Sequence, residues 1–316
     1  MKRVSKVVAL LGATAVAVAA VAATADGQTK AGPDLAYVSK QLAAYKAMPK
    51  FVAPGPAVDA AKAKGKKLFV IPASAAVPFV QTIADGIKQA ATKAGLGFTE
   101  WQNQGQPSQW VQGMNAATSQ GASSIDLLAG IDPAALQPQI KAAKAKGITT
   151  VVSHLYDVKQ AKAPNIDATV DILYEQAGRL LADWATFETN GKLDALVVTI
   201  NQVPSTKPMV AGIKDEIAKY CGSSCKLSFT DVTIPDIATK IQPAVQSAIV
   251  GDPKLNYVIA LYDSAEVPFV VAAIKGANAV GKVHVDSFNG TPAILNGLIV
   301  ERNLYRARNT NQKIQH

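Results

Sequence analysis

The chain has 316 residues, of which 49% are hydrophobic and 17% charged, a composition typical of folded globular proteins and unlike that of disordered chains. Its formal net charge of +9 is concentrated at the two ends: Lys2, Arg3 and Lys6 contribute three positive charges and the last sixteen residues a net +3. The body between them is nearly balanced and has no basic stripe with interleaved aromatic residues, so we expect no nucleic-acid partner.

The first 25 residues have the pattern of an export signal. A basic start precedes an apolar stretch at residues 7–23, which ends in Ala23-Thr24-Ala25, a small-residue cleavage pattern. A membrane anchor is the alternative, because residues 7–25 approach the length of a spanning helix. The small-residue exit favours cleavage after Ala25, and the lack of any cysteine in the first 220 residues excludes a lipid-anchored signal. We therefore expect a periplasmic protein.

Residues 26–65 form a preface to the regular part of the chain. An amphipathic stretch over residues 34–47 predicts a helix. The prolines of Met48-Pro49 and Pro54-Gly55-Pro56 then predict an extended lead into the first lobe, since no helix continues through them.

From residue 66, short β-branched runs alternate with alanine-rich helical patterns. The predicted strands cover residues 67–71, 98–101, 124–128 and 149–153. The predicted helices cover residues 78–94, 108–120 and 133–146. Gly95, Gly121 and Gly147 mark the helix ends, where glycine adopts the left-handed conformation at low cost. Repeated βαβ units imply a parallel sheet covered by helices on both faces.

The same rhythm restarts after residues 165–170. Strands are predicted at residues 195–200, 227–232, 257–261 and 284–288, and helices at 206–220, 236–250 and 268–279. The sequence thus predicts two doubly wound α/β lobes, residues 66–168 and 169–297, joined as a clamshell. Ligands of such sheets bind outside the carboxyl ends of the strands. The candidate segments are therefore residues 73–79, 101–104, 153–157, 201–207, 261–265 and 287–291.

The only two cysteines, Cys221 and Cys225, lie in the sequence Cys-Gly-Ser-Ser-Cys. In an oxidising compartment such a pair can close a tight disulfide that pins the turn after a helix. The alternative is a metal or redox site, but only His154, His284 and His316 are available as further histidine or cysteine ligands. The sequence favours a structural disulfide and predicts no metal and no cofactor.

Five motifs, in this order and spacing, resemble the type I periplasmic sugar-binding proteins, the ribose-binding group in particular. They are Leu68-Phe69-Val70-Ile71, Val77-Pro78-Phe79-Val80, Ile131-Asp132-Pro133, Lys146-Gly147-Ile148 and Phe288-Asn289-Gly290-Thr291-Pro292. The resemblance covers residues 66–297 and implies the clamshell fold and sugar binding without chemistry. Relatives continue for tens of residues beyond the last motif, whereas residues 298–316 lack apolar periodicity, so we expect a shortened chain with a disordered tail.

In the family that the chain resembles, the aromatic residue after the first strand stacks on the sugar ring, and here that residue is Phe79. A buried position on the first helix is the alternative for Phe79. Trp101, at the end of a predicted strand and close to Asn103, is the second aromatic candidate. The alternative for Trp101 is a residue that caps the sheet edge.

The chain departs from the pentose-binding pattern at charged positions. His154 stands where an acidic residue is expected, and Lys207 stands in place of an arginine. Tyr262, followed by Asp263, replaces an asparagine, and Asn289 replaces an aspartate. His154 could instead be a buried strand-end residue and Asp263 a helix N-cap. The resemblance therefore implies a site with aromatic and hydrogen-bonding character and little charge, for a neutral sugar, polyol or small polar metabolite.

These observations predict a solute-binding protein of an ABC importer, with a small polar ligand, a sugar or sugar-like molecule, and an inner-membrane permease as its partners. A ligand sensor that feeds a receptor kinase or chemoreceptor has the same sequence signature. A secreted hydrolase acting on a small sugar derivative is a further alternative, although the chain lacks the common nucleophile, phosphate-loop and zinc motifs.

Overall fold

The part of the chain that the computed structural model describes, residues 32–47, 50, 52 and 55–296, forms two α/β lobes. Every strand pairing within the two sheets is parallel, as the βαβ rhythm predicts. The expected export signal and the expected disordered tail lie outside the described residues. None of the described helices is long and apolar enough to cross a membrane.

The first lobe has a five-stranded sheet in the order β2-β1-β3-β4-β5. Its strands are β1 Lys67–Pro72, β2 Gly97–Glu100, β3 Ser124–Leu128, β4 Thr149–Asp157 and β5 Ala168–Ile172. Its helices are α2 Pro78–Lys93, α3 Pro107–Ser119 and α4 Gln137–Ala145. The central strands are almost continuously apolar because helices cover both faces of the sheet.

The second lobe repeats this pattern with four strands in the order β7-β6-β8-β9. The strands are β6 Asp194–Thr199, β7 Lys226–Asp231, β8 Tyr257–Ala260 and β9 His284–Ser287. The helices are α5 Tyr174–Glu188, α6 Thr206–Tyr220, α7 Ile237–Gly251 and α8 Asp263–Gly276. The strand order of each lobe reverses beside its first strand, so the loops at the carboxyl ends of β1 and β6 border an open crevice.

The sequence pattern predicts neither β5 nor α5, both of which the structure contains. Because β5 pairs with β4, the first sheet extends to Ile172, four residues beyond the boundary expected at Ala168. The amphipathic helix α5 then opens the second lobe, and its buried residues Ala177, Leu181 and Ala185 follow helical spacing. The short β5 gives a weak signal, since it alternates between exposed and half-buried positions.

Helix α8 begins at Asp263 rather than at residue 268, where the sequence places the start. The buried Asp263 carboxylate accepts hydrogen bonds from the backbone N–H of Ser264 and from Thr291, and it lies at the positive end of the helix dipole. These contacts extend the helix upstream, so Pro268 lies inside its early turns.

The first described helix, α1 Leu35–Ala44, packs on the second lobe although its chain leads into the first. The Tyr37 ring stacks on Tyr220 with 3.5 Å between centroids, and the backbone N–H of Asp34 donates to the Tyr220 carbonyl at 2.7 Å. Val38 is buried in this contact. Helix α1 is therefore held by the second lobe.

The sulfur atoms of Cys221 and Cys225 are joined by a disulfide directly after α6, with 5.6 Å between the Cα atoms. This is the pairing that the spacing favours. The bond fixes the chain at the end of α6, next to Tyr220 and hence next to the docked α1.

Helices α5 and α6 cross at two glycines. A Cβ on Gly178 would collide with the Met209 carbonyl, and a Cβ on Gly212 would collide with the Glu175 carbonyl. A Cβ on Gly86, in the middle of α2, would meet no atom within 4 Å. The two backbones approach so closely that only a residue without a side chain fits at the crossing.

We expect Gly178→Ala to lower the free energy of unfolding by about 1–3 kcal/mol, because backbone must move to admit the methyl group. The matched change Gly86→Ala should raise stability by roughly 0.5–1 kcal/mol through helix propensity. Urea unfolding of both variants checks this prediction. Equal stabilities of the two variants would contradict the close crossing.

Asp126, on β3, is a buried carboxyl group whose two oxygens each lie 2.7 Å from the hydroxyl of Ser153 on β4. Burial raises the pKa of Asp126 to about 6, although the hydrogen bonds from Ser153 oppose this shift. Since the folded state binds the proton more tightly than the unfolded state, the group stabilises the fold at low pH. This contribution is lost as the pH rises through 4 to 6.

Asparagine cannot ionise, so Asp126→Asn should not lose stability as the pH rises. The free energy of unfolding that the parent protein loses is about 3 kcal/mol, from the size of the pKa shift. We expect its melting temperature to exceed that of the parent protein at pH 7.5 and to converge with it at pH 4. Ser153→Ala, which removes the opposing side-chain hydrogen bond and keeps the backbone one, should shift the loss to higher pH. A constant difference between Asp126→Asn and the parent across this range would refute the assignment.

Candidate functional site

A cavity of about 60 Å³ lies between the lobes, where the carboxyl ends of their strands face each other. It is lined by Ala73, Ser74, Val77, Phe79, Val80, Ala129, His154, Tyr174, Ile200, Val203, Ser205, Ile234, Ile237, Tyr262, Ser264, Ala265 and Asn289. Its size admits only a few water-sized groups, so a larger ligand requires a wider separation of the lobes. The crevice expected from the strand order is thus present and nearly closed.

Hydrogen bonds across the cleft hold the lobes together. The backbone N–H of Phe79, in the first turn of α2, donates to Ser264 Oγ in the first turn of α8 at 3.1 Å. On another side, Gln160 Nε2 donates to the Pro204 carbonyl at 3.0 Å. The structure therefore represents a closed arrangement of the two lobes.

An aromatic row crosses the cleft. The centroid of the Phe79 ring lies 4.8 Å from that of His154, and His154 lies edge-on to Tyr174 at 5.7 Å. Tyr174 is edge-on to Phe288 at 5.8 Å, and its hydroxyl donates to the His154 carbonyl at 2.9 Å. Three of these rings, all except that of Phe288, line the cavity.

His154 has a φ of 55°, in the left-handed region, and the register between β4 and β5 shifts just after it. This kink at the end of the regular strand turns the imidazole into the cleft. Burial lowers the pKa of His154, and the neighbouring Asn289 side chain opposes the shift. The imidazole is therefore neutral at pH 7 in the closed protein.

A chain of hydroxyl groups lines the second-lobe wall. Tyr262 Oη lies 2.8 Å from Ser205 Oγ and 2.9 Å from Thr206 Oγ1, and Thr206 donates to the Ile200 carbonyl at 2.7 Å. Burial raises the pKa of Tyr262, so its hydroxyl keeps its proton at neutral pH.

Asn289 follows β9 with a φ of 99°. Its side-chain oxygen Oδ1 is buried beside the His154 imidazole and accepts no hydrogen bond of normal geometry from the described residues. An amide oxygen has two lone pairs, so Oδ1 can accept a hydrogen from a ligand group beside the imidazole.

Four of the eight candidate ligand-binding residues therefore meet at the cavity: Phe79, His154, Tyr262 and Asn289. Asp263 does not line the cavity and anchors α8 on Thr291; it is the first residue of the helix, whose N-cap is Tyr262, so the N-cap alternative for Asp263 is wrong.

Three further candidates lie outside the cavity. The Trp101 indole donates to the Gln109 carbonyl at 2.8 Å, and the Asn103 amide donates to the Pro72 carbonyl at 2.8 Å. Both residues fix the loop after β2, and Lys207 is exposed at the start of α6. In this closed arrangement the structure gives these residues no contact with the cavity.

Sequence reasoning did not single out Tyr174, Ser205 or Ser264. The segments expected to border the cleft include Ser205 and Ser264, but a serine in a loop carries no signal of its own. Tyr174 is the first residue of α5, a helix that the sequence pattern does not predict. Within the described residues, no group of three or more histidine, cysteine, aspartate or glutamate side chains could hold a metal ion.

The family model described as "Periplasmic binding protein domain" matches residues 68–313, most of the chain. Two lobes of parallel sheet around a closed cleft are the architecture that this match implies. The chain therefore belongs to the periplasmic binding protein family. A search of curated proteins finds no match.

Solved structures share the fold. A solute-binding protein from Burkholderia graminis C4D1M, in complex with D-arabinose, is 25% identical, with a TM-score of 0.63 over 75% of this chain and 81% of that one. One from Agrobacterium vitis, bound with α-D-tagatopyranose, is 17% identical, with a TM-score of 0.64 over 74% and 79%. A carbohydrate transporter protein from Acidothermus cellulolyticus 11B, in complex with myo-inositol, is 18% identical, with a TM-score of 0.60 over 74% and 78%.

The lowered pKa of His154 predicts acid sensitivity of the closed protein. Above pH 6.5 His154 is neutral in both the folded and the unfolded protein and causes no pH dependence of stability. Below pH 6.5 the unfolded protein takes up the proton first, so the free energy of unfolding falls as the pH decreases. The free energy of unfolding should decrease by up to about 1.4 kcal/mol per pH unit in this range.

His154→Asn removes the titrating group, and asparagine tolerates the positive φ. The variant should lose the part of the pH dependence below 6.5 that the imidazole causes, as measured by denaturant unfolding at pH 5, 6 and 7. An unchanged slope would show that His154 does not titrate differently on folding.

Proposed function

We propose that this protein is the exported solute-binding component of an ABC importer and binds a small sugar or sugar-like ligand between its lobes. The observation that carries the proposal is the cleft itself, where aromatic rings and polar groups from both lobes enclose one cavity. Aromatic rings match the apolar C–H faces of sugars, and fixed polar groups match their hydroxyls. Family membership and the ligands of the similar solved structures support this choice.

Closure of the lobes is the physical event that links binding to transport in this proposal. The bond from Phe79 N–H to Ser264 Oγ exists only when the lobes are together, and a ligand that contacts both lobes favours that state. The inner-membrane permease would then recognise the closed form. The export signal at residues 1–25 and cleavage after Ala25 belong to the same proposal, since they would deliver the protein to the periplasm.

Phe79, His154, Tyr262 and Asn289 are the proposed ligand contacts from the sequence, and the structure adds Tyr174, Ser205 and Ser264. Their roles are binding and orientation; no step of chemistry is assigned to them. Trp101, Asn103 and Asp263 are proposed to hold the loops around the cleft.

A thermal-shift screen of the mature chain, beginning at Asp26, tests the proposal directly. A ligand that binds only the folded protein raises the melting temperature, and the rise grows with the logarithm of the ligand concentration above its Kd. A concentration-dependent shift with a sugar or polyol, together with saturable binding in calorimetry, supports the proposal. A cooperative melt that no member of the panel shifts would overturn the choice of a sugar-like ligand.

For a ligand found in this way, Phe79→Ala should weaken binding by about tenfold to a hundredfold, because a stacking surface of 1.5–3 kcal/mol is lost. The control is Phe229→Ala, since Phe229 is an exposed aromatic on β7 away from the cleft. Isothermal calorimetry on both variants measures the difference. Equal losses would place the ligand elsewhere.

A further inference from the structure

The cavity is lined mainly by hydrocarbon. Val77, Val80, Val203, Ile234 and Ile237 contribute to its walls, and the lining described by the structure contains no aspartate, glutamate, lysine or arginine. A charged ligand would therefore lose its hydration without gaining a counter-ion, which is costly in a closed cleft. The geometry selects a neutral ligand.

The hydroxyl chain on the second lobe has a fixed direction. The Ile200 carbonyl can only accept, so the single hydroxyl hydrogen of Thr206 is used there. Tyr262 must then donate to Thr206, and Ser205 must donate to Tyr262. What Ser205 offers to the cavity is a lone pair, an acceptor without a hydrogen.

Two further polar groups on that wall have the same character, whereas the Ser264 hydroxyl accepts from the Phe79 N–H and keeps its own hydrogen. The Tyr174 hydroxyl donates its hydrogen to the His154 carbonyl, and Asn289 Oδ1 is a buried acceptor that has a second lone pair beside the His154 imidazole. The second lobe thus presents acceptors from Ser205, Tyr174 and Asn289. Opposite them, the first lobe presents the hydrocarbon of Val77, Phe79 and Val80, beside the polar side chains of Ser74 and His154.

We propose, on the basis of the proposed function, that the ligand is a neutral deoxygenated polyol. It donates hydroxyl hydrogens to Asn289 Oδ1 and Ser205 Oγ on the second lobe and turns a hydrocarbon face to Val77, Phe79 and Val80 on the first lobe. A fully hydroxylated sugar would bury hydroxyl groups against Val77 and Val80 without partners. A ligand lacking those hydroxyls avoids this cost, and a site discriminates strongly when a polar group is left unpaired.

Matched pairs that differ in a single hydroxyl test the proposal by calorimetry: L-rhamnose against L-mannose, D-fucose against D-galactose, and 1,2-propanediol against glycerol. We expect the deoxygenated member of at least one pair to bind tenfold or more tightly than its partner. Tighter binding of the hydroxylated members would overturn this inference and leave the proposed function intact. Binding of none of the six by a folded protein that binds another sugar or polyol of the thermal-shift panel would overturn this inference alone.

The acceptor role of Asn289 has its own test with the best-binding probe. Asn289→Gly preserves the positive φ and deletes the side-chain amide, so it should weaken binding by tenfold or more without a loss of melting temperature. The matched control is Asn278→Gly, which changes an exposed asparagine of positive φ at the end of α8. We expect the control to bind as the parent does.

Ser205→Ala should likewise weaken binding of the best-binding probe by about tenfold. It should weaken binding of an analogue that lacks the hydroxyl group facing Ser205 by a smaller factor. If Asn289→Gly and Ser205→Ala both bind the probe as tightly as the parent does, the acceptor wall does not recognise the ligand and the inference fails. Such binding would leave the proposed function standing.

Discussion

The meeting of two helix N-termini across the cleft is the contact on which the closed structure depends. The first turn of α2 has N–H groups without intrahelical acceptors, and one of them, on Phe79, is satisfied by Ser264 in the first turn of α8. The buried Asp263 beside Ser264 places negative charge at the positive end of α8 and ties that end to Thr291. One contact thus links a helix of each lobe and positions the Phe79 ring over the cavity.

Two further features position the other side chains of the site: the kink at His154 and the crossing of α5 with α6. A left-handed residue at the end of β4 brings an imidazole between Phe79 and Tyr174. Tyr174 is in place because α5 lies tight against α6, where Gly178 permits backbone contact. The site is therefore assembled by backbone geometry at positions that carry no catalytic signature.

The fold was largely predictable because its signal is local. Apolar runs and helical periodicity identified eight of the nine strands in the described residues, and Gly95, Gly121 and Gly147 all have the positive φ expected at helix ends. The misses have physical causes. The short β5 lies at the sheet edge with little apolar content, and the start of α8 depends on a contact with Thr291, 28 residues away along the chain.

The sequence by itself determined the two-lobed parallel fold and the place of the disulfide, because each follows from residue type and local order, and the low charge of the candidate site was implied by the family resemblance. Only the tertiary structure decided which candidates share a cavity. Phe79, His154, Tyr262 and Asn289 converge, whereas Trp101 and Asn103 bond to backbone carbonyls nearby. The docking of α1 on the second lobe could not be predicted from the sequence either. The reason is that convergence depends on long-range packing and on the direction of each side chain, which no local pattern encodes.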